Sequence, residues 1–186
     1  MRLSLSLTIL LLLFSTACQK GANSTTANPQ SATDYYNRGV ERQSKGDADG
    51  AIADYTKAIE LDPKSFSAYN NRGNLKQDKG KVKEAILDYQ NATVINPGHA
   101  TAHFNLAHAY QGRKDYDGAI YEYGKAIEAK PDYAMAYANR GLCHLYINED
   151  AEAQKDFDRS LEISAEMKNS LEGYIAKVKQ ERAVRR

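Results

Sequence analysis

The 186-residue chain has no tryptophan, two cysteines, four prolines and a formal net charge of only +1. Each scarcity removes a class of protein. Two thiols cannot build the disulfide framework of a small secreted domain, nor a four-thiolate zinc site. A nearly neutral chain lacks the broad positive field that draws proteins to nucleic acid. The one long apolar run, residues 3–14, is too short to cross a bilayer as a helix. With 42% hydrophobic and 26% charged residues, the composition is that of an ordinary globular chain. The length suits one compact domain or one short array.

What the sequence does contain is a regular interval. The prolines stand at 29, 63, 97 and 131, each 34 residues after the one before. A frame opened at Ala32 gives four units, 32–65, 66–99, 100–133 and 134–167, and a small set of recurring columns. Column eight holds Gly39, Gly73, Ala107 and Gly141, and column twenty Ala51, Ala85, Ala119 and Ala153. Column twenty-four is aromatic throughout (Tyr55, Tyr89, Tyr123, Phe157), and column twenty-seven is Ala58, Ala92, Ala126 and Ser160. Small residues let two helices approach while a ring fills the space between them. Each unit therefore predicts a first helix, a turn near Gly46, Gly80, Lys114 or Asn148, and a second helix. The second helix of unit one is apolar at Ala51, Ile52, Tyr55, Ala58 and Ile59, a helical period. Proline stops that helix in three units; unit four has Ala165 there, which leaves its second helix free to run on or bend into the C-terminal segment.

These columns resemble the tetratricopeptide repeat in one register, without insertion, from Ala32 to Ala165. Two columns depart from the family pattern. The usual Trp position holds Tyr35, Tyr69, His103 and Tyr137, and the usual Leu position Arg38, Arg72, Leu106 and Arg140. The resemblance implies an all-α, right-handed superhelical solenoid of four helix–turn–helix units, whose core is continuous only because neighbours stack. Beyond them, Leu171, Tyr174, Ile175 and Val178 recur at helical spacing among lysines, so 168–186 reads as a capping helix with a basic end.

The N-terminus reads as a targeting segment. Met1-Arg2, the apolar run and the small residues Ser15-Thr16-Ala17 lead to Cys18, and S-T-A-C resembles the lipobox of bacterial lipoproteins. That resemblance implies a signal peptide over 1–17 and acylation of Cys18, which would anchor the protein in a membrane facing the periplasm or cell exterior. Gln19, not Asp, favours the outer membrane where the host has one. Ser15-x-Ala17 also fits ordinary signal-peptidase cleavage, which would release a soluble periplasmic or secreted protein. Residues 18–31 are small and polar, the composition of a flexible tether.

Function is expected on the concave face, which the first helices of such an array line. Column six is Asn in every unit: Asn37, Asn71, Asn105 and Asn139. A carboxamide both donates and accepts, so it suits either a peptide backbone in the groove or a tie between adjacent helices. Columns two, five, nine and twelve are expected to face the same groove. They contribute Tyr36, Phe104, His108, Met135 and Leu142 among polar residues such as Gln43, Gln77 and Gln111. Relatives that clamp a C-terminal carboxylate carry Lys and Arg in columns two, five and six, and none stands here. Arg38, Arg72 and Arg140 read as stems packed on a helix with their heads in solvent or paired to acids of the second helix. His99 and His103 have i, i+4 spacing, but no carboxylate or thiolate completes a metal site, so no metal is expected. Cys143 reads as a buried free thiol.

No nucleophile motif, phosphate loop or paired-carboxylate arrangement appears, and no cofactor is implied. The expected function is therefore non-enzymatic. The resemblance points to an adaptor of the bacterial cell envelope that binds partner proteins, as an extended peptide or a helix, in the groove. A second resemblance is to lipoproteins that assist pilus or secretin assembly. A reading of another class is a periplasmic module for a small molecule or wall fragment, with Tyr36 and Phe104 as stacking platforms.

Overall fold

The computed structural model describes residues 30–184, so the signal peptide, Cys18 and most of the tether lie outside the described residues. Within them the chain is helical: α1 (Ala32–Ser44), α2 (Ala48–Leu61), α3 (Phe66–Asp78), α4 (Val82–Ile95), α5 (Ala100–Gly112), α6 (Tyr116–Ala129), α7 (Ala134–Tyr146), α8 (Asp150–Ile163) and α9 (Lys168–Val184). No strand occurs among the described residues. Every first helix has 13 residues and every second helix of a pair has 14, in the same columns of each unit.

Local chemistry explains these boundaries. Ser31 and Asp34 form a reciprocal capping box at α1, each side chain accepting from the other's backbone N–H at 3.1 Å. Asp47 and Asp115 cap α2 and α6 by accepting from Gly50 and Gly118. The turn inside each pair passes through the left-handed region at one column: Gly46 (φ 81°), Gly80 (φ 75°), Lys114 (φ 63°) and Asn148 (φ 68°). Two units meet that demand with glycine and one with asparagine, while Lys114 bears a cost of about 1 kcal/mol. The predicted turn residues are the observed ones.

Proline is not required to end a second helix. α8 stops at Ile163, the column where α2, α4 and α6 stop, although Ala165 replaces proline. Ser164 swings to φ −146°, ψ 88° before a single 3₁₀ turn at Ala165–Met167, so α8 does not run on. The extended residue at this column turns the chain back toward the next helix whether or not a proline comes after it.

Each pair closes around its column-twenty-four ring. Tyr55, Tyr89 and Tyr123 are at most 1% exposed and Phe157 is 4% exposed. A methyl group on Gly39, Gly73 or Gly141 would stand 2.6–2.7 Å from the ring beneath it, closer than atoms can approach. The tyrosine hydroxyls are satisfied from the first helix: Tyr55 donates to Gln43 and Tyr123 to Gln111, both of column twelve, and Tyr89 donates to Asn74 of column nine with Gln77 of column twelve also in reach. In unit four both partners change together, to Phe157 and Leu145.

A second constellation binds each pair from the side. Arg38 makes a two-pronged ion pair with Asp54, Arg72 with Asp88 and Arg140 with Asp156, at 2.6–3.0 Å, onto carboxylates whose side chains are 3–7% exposed. Each guanidinium also lies 5.4–5.6 Å from the ring centroid of Tyr35, Tyr69 or Tyr137. The arginines are thus paired to acids of the second helix. Unit three replaces the whole set, placing His103, Leu106 and Glu122 where the others have tyrosine, arginine and aspartate. His103 Nδ1 lies 2.6 Å from the Glu122 carboxylate, and its Nε2 donates to the Pro97 carbonyl at 3.0 Å.

The two ends of the array are written into the columns that join units. Columns three and ten pack against the preceding pair as Ala68, Ala102, Ala136, Leu75, Ala109 and Cys143, all at most 6% exposed. Unit one carries Asp34 and Glu41 there, side chains suited to a face turned to solvent. Columns seventeen and twenty-one meet the following pair as Ala48 and Ile52, Val82 and Ile86, Tyr116 and Ile120. Unit four has Asp150 and Gln154 instead, both exposed. Accordingly α9 rests on α7, inserting Leu171 and Val178 beside Leu142, Leu145 and Phe157. It is latched to Asp150 by Arg182 and leaves a cleft of about 570 Å³ against α8.

Candidate functional site: the inner face of the first helices

Successive first helices touch, α3 with α5 and α5 with α7, and no comparable contact joins α2 to α4 or α4 to α6. The first helices therefore lie on the inner side of the curve. Thr33, Thr101 and Met135 of column two are exposed there, as are Val40 and His108 of column nine. Met135 is 51% exposed and Val40 42%, so each offers apolar surface in an otherwise polar face. Helix spacing puts Met135 and Asn139 one turn apart on one stripe of α7.

The asparagine column divides. Asn71 Nδ2 donates to the Tyr36 hydroxyl of the preceding unit at 3.3 Å. Asn105 Nδ2 donates to Asn70 Oδ1 and Asn74 Oδ1, both at 3.0 Å. These two carboxamides stitch adjacent first helices together, the structural role that a repeated asparagine also allowed. Asn37 is exposed and has no helix before it among the described residues. Asn139 is half-buried and makes no hydrogen bond with its side chain among the described residues.

Several expected groove residues sit elsewhere. Leu142 is 6% exposed and is covered by α9 in the cluster with Leu171 and Val178, so it does not reach the groove. The cap covers column nine of the last unit, which removes that position from the inner surface. Tyr36 is half-buried, 5.7 Å from the Tyr55 ring. Phe104 packs against Tyr123 at 5.4 Å and Tyr133 at 5.0 Å, all within unit three. Both rings are half-buried against these neighbours. The column-twelve glutamines accept from core tyrosines. His108 stays exposed, its ring parallel to Phe104 and its Nδ1 3.4 Å from Gln77 Nε2.

His99, His103 and Cys143 have structural roles. His99 Nδ1 accepts from the Ala102 N–H as an N-cap at 3.1 Å, and burial lowers its pKa. With His103 committed to Glu122 and Pro97, the i, i+4 histidine pair has no common ligand position. No group of His, Cys, Asp and Glu suited to a metal ion occurs among the described residues. Cys143 is fully buried, and desolvation pushes its thiol up to about 12.

Comparison with known proteins agrees with this geometry. The family model for the TPR repeat matches residues 41–80, 73–112 and 113–145, more than half of the chain. The protein belongs to the tetratricopeptide repeat family. Among solved structures it is similar to the crystal structure of MamA, with 28% identity and a TM-score of 0.71 over 77% of this chain and 84% of that one. A tetratricopeptide repeat protein from Parabacteroides merdae also matches, at 22% identity and a TM-score of 0.71 over 82% of this chain and 62% of that one. So does a chain of the APC/C hetero-tetramer Cut9–Hcn1, at 21% identity and a TM-score of 0.69, covering 80% of this chain and 30% of that one. Comparison with curated proteins returned no significant match. The fold is that of a protein-interaction scaffold, a class that is typically non-enzymatic.

Proposed function

We propose that the protein is a non-enzymatic adaptor of the bacterial cell envelope, holding an extended peptide or a helix of a partner protein along the inner face of α1, α3, α5 and α7. The observation that carries this reading is the chemistry of that face. Its exposed side chains are hydroxyls, amides, one imidazole and two apolar groups, while the arginines beside them are committed to buried aspartates. A surface of this kind offers hydrogen bonds to a peptide backbone without demanding a charged partner. Envelope placement rests on the N-terminal sequence, with acylated Cys18 as the anchor and 18–31 as the tether.

A photoreactive residue at Thr101, on the inner face, should crosslink a defined envelope protein, and one at Asn91, on the exposed side of α4, should not. Equal crosslinking from both positions would refute the groove. For the anchor, a fatty-acid analogue should label wild-type cells but not Cys18→Ser cells; an unlabelled wild type would indicate plain secretion.

A further inference from the structure

Beyond the anchor at Cys18, we propose a second membrane contact, in which the outer face of α9 lies on an anionic phospholipid surface. The inference comes from where the charge sits. Residues 168–186 carry six basic and two acidic side chains, a net +4, whereas residues 18–167 carry eighteen basic and twenty-two acidic ones, a net −4. Such asymmetry between a short end and the rest of a chain marks a polyanionic partner. On the second helices Lys57, Lys125 and Lys155 each pair with a glutamate three residues away, at 2.6–2.8 Å. The acids of α9 do not neutralise its lysines in this way. Glu181 accepts from the Tyr146 hydroxyl of α7, and Arg182 is held by Asp150 of α8. Lys168, Lys177 and Lys179 are exposed and make no ion pair among the described residues.

The geometry of α9 suits a flat partner. Leu171, Ile175 and Val178 face the core of the last unit. Helical spacing then puts Asn169, Gly173, Ala176, Gln180 and Val184 on the opposite side, and all five are exposed. No acid interrupts that face; Glu172 stands at its margin, one turn from Lys168. Lys177 borders the face on one side and Lys179 on the other, so their stems can reach past the small residues to phosphates while the face approaches the headgroups. Tyr174, 59% exposed, and Val184, 83% exposed, add an aromatic ring and an aliphatic group at the same level. Lys168 and Lys179 lie eleven residues apart, about 16 Å along the axis, so the cations spread instead of converging on one anion. Mobile headgroups can gather under scattered charges. A folded acidic protein would need an anchor side chain at the centre, where this face has glycine and alanine. The net negative array is repelled by the same surface, so the molecule meets it cap first and the inner face of the first helices stays clear.

The test uses the full chain carrying Cys18→Ser, which cannot be acylated, and two kinds of vesicle. One is made of phosphatidylglycerol and phosphatidylethanolamine in equal parts, the other of phosphatidylcholine alone. The apolar run at 3–14 favours both alike, so the readout is the difference between them. Each lysine held at an anionic surface strengthens binding about fivefold, so three should give a preference of about a hundredfold for the anionic vesicles. That preference should vanish at about 1 M salt. Lys168→Gln/Lys177→Gln/Lys179→Gln should abolish it and still melt with the parent, because these side chains tie nothing together. Lys57→Gln/Lys125→Gln, at lysines already paired, should keep it. An environment-sensitive dye on Tyr174→Cys should shift its emission on anionic vesicles, and the same dye on Asn91→Cys should not. Equal binding to both vesicles, a preference that survives the triple variant, or an unmoved dye at position 174 overturns the inference. So does capture by immobilised polyglutamate without any vesicle preference, which would assign the face to an acidic protein. None of these outcomes bears on fatty-acid labelling of Cys18 or crosslinking from Thr101, so the adaptor reading stands or falls separately.

Discussion

Replacing Arg72 with leucine tests whether the buried aspartates are held by their arginines. Asp88 is 3% exposed at its side chain and receives two guanidinium hydrogen bonds, at 2.6 and 3.0 Å. Removing one partner of a buried ion pair costs about 3–5 kcal/mol, because the other charge stays desolvated. Lys76 softens that loss, since its ammonium lies 2.8 Å from the same carboxylate. The Arg72 side chain, 14% exposed, already keeps some contact with water. Arg72→Leu should therefore destabilise by about 2 kcal/mol, or lower the melting temperature by about 4–8 °C for a chain of this size. The double variant Arg72→Leu/Asp88→Leu removes both charges of the pair, leaves Lys76 with Glu84 at 3.8 Å, and should recover at least half of the loss. Urea unfolding followed by circular dichroism measures the total. Hydrogen exchange should place the effect in α3 and α4 and their neighbours, because each repeat contacts only those adjacent to it. A loss below about 0.5 kcal/mol for the single variant, or a double variant no more stable than the single one, would refute the reasoning.

Three other outcomes are expected from the packing. Gly73→Ala puts a methyl 2.7 Å from the Tyr89 ring and should cost about 1–2 kcal/mol in chemical unfolding, overpacking outweighing the better helix propensity. Tyr123→Phe strands the Gln111 acceptor and should cost about 1 kcal/mol, while adding Gln111→Leu, which copies unit four, should restore most of it by the same assay. Cys143 should resist iodoacetamide at pH 8 until urea unfolds the chain, because burial pushes its thiol up to about 12. The folded state keeps that proton while the unfolded state loses it, so stability is full below the ordinary thiol value of 9.0 and falls as pH rises above it. Burial also raises Tyr89 and Tyr123, which act in the same direction from pH 10 upward. Thermal melts should show an alkaline loss whose first part disappears in Cys143→Ala.

Much of the fold could be read from the 34-residue interval. Helix limits, left-handed turn positions and the small-over-aromatic contact all depend on residues within one unit, a short distance along the chain. Pairing of the column-seven arginines with acids of the second helix was legible for the same reason, since the partners are 16 residues apart. Replacement of tyrosine by His103 and of arginine by Leu106 was also visible in the columns. Only the folded structure shows that it exchanges one buried constellation for another.

By itself, then, the sequence determined a repeating helical pair and the columns that build it. Tertiary structure alone decided which members of those columns are free to act. Asn71, Asn105 and Asn139 are identical in the sequence and occupy one position in their helices. Two are tied to the preceding repeat and one is not, because the partner is chosen by a different column 35 residues away. Leu142 likewise shares a column with exposed Val40 and His108 but lies beneath α9, which has no counterpart inside the array. A period records what recurs along the chain. A hydrogen bond or a covering helix depends on what arrives across the joint, and at the ends of an array and at unit three that is what differs.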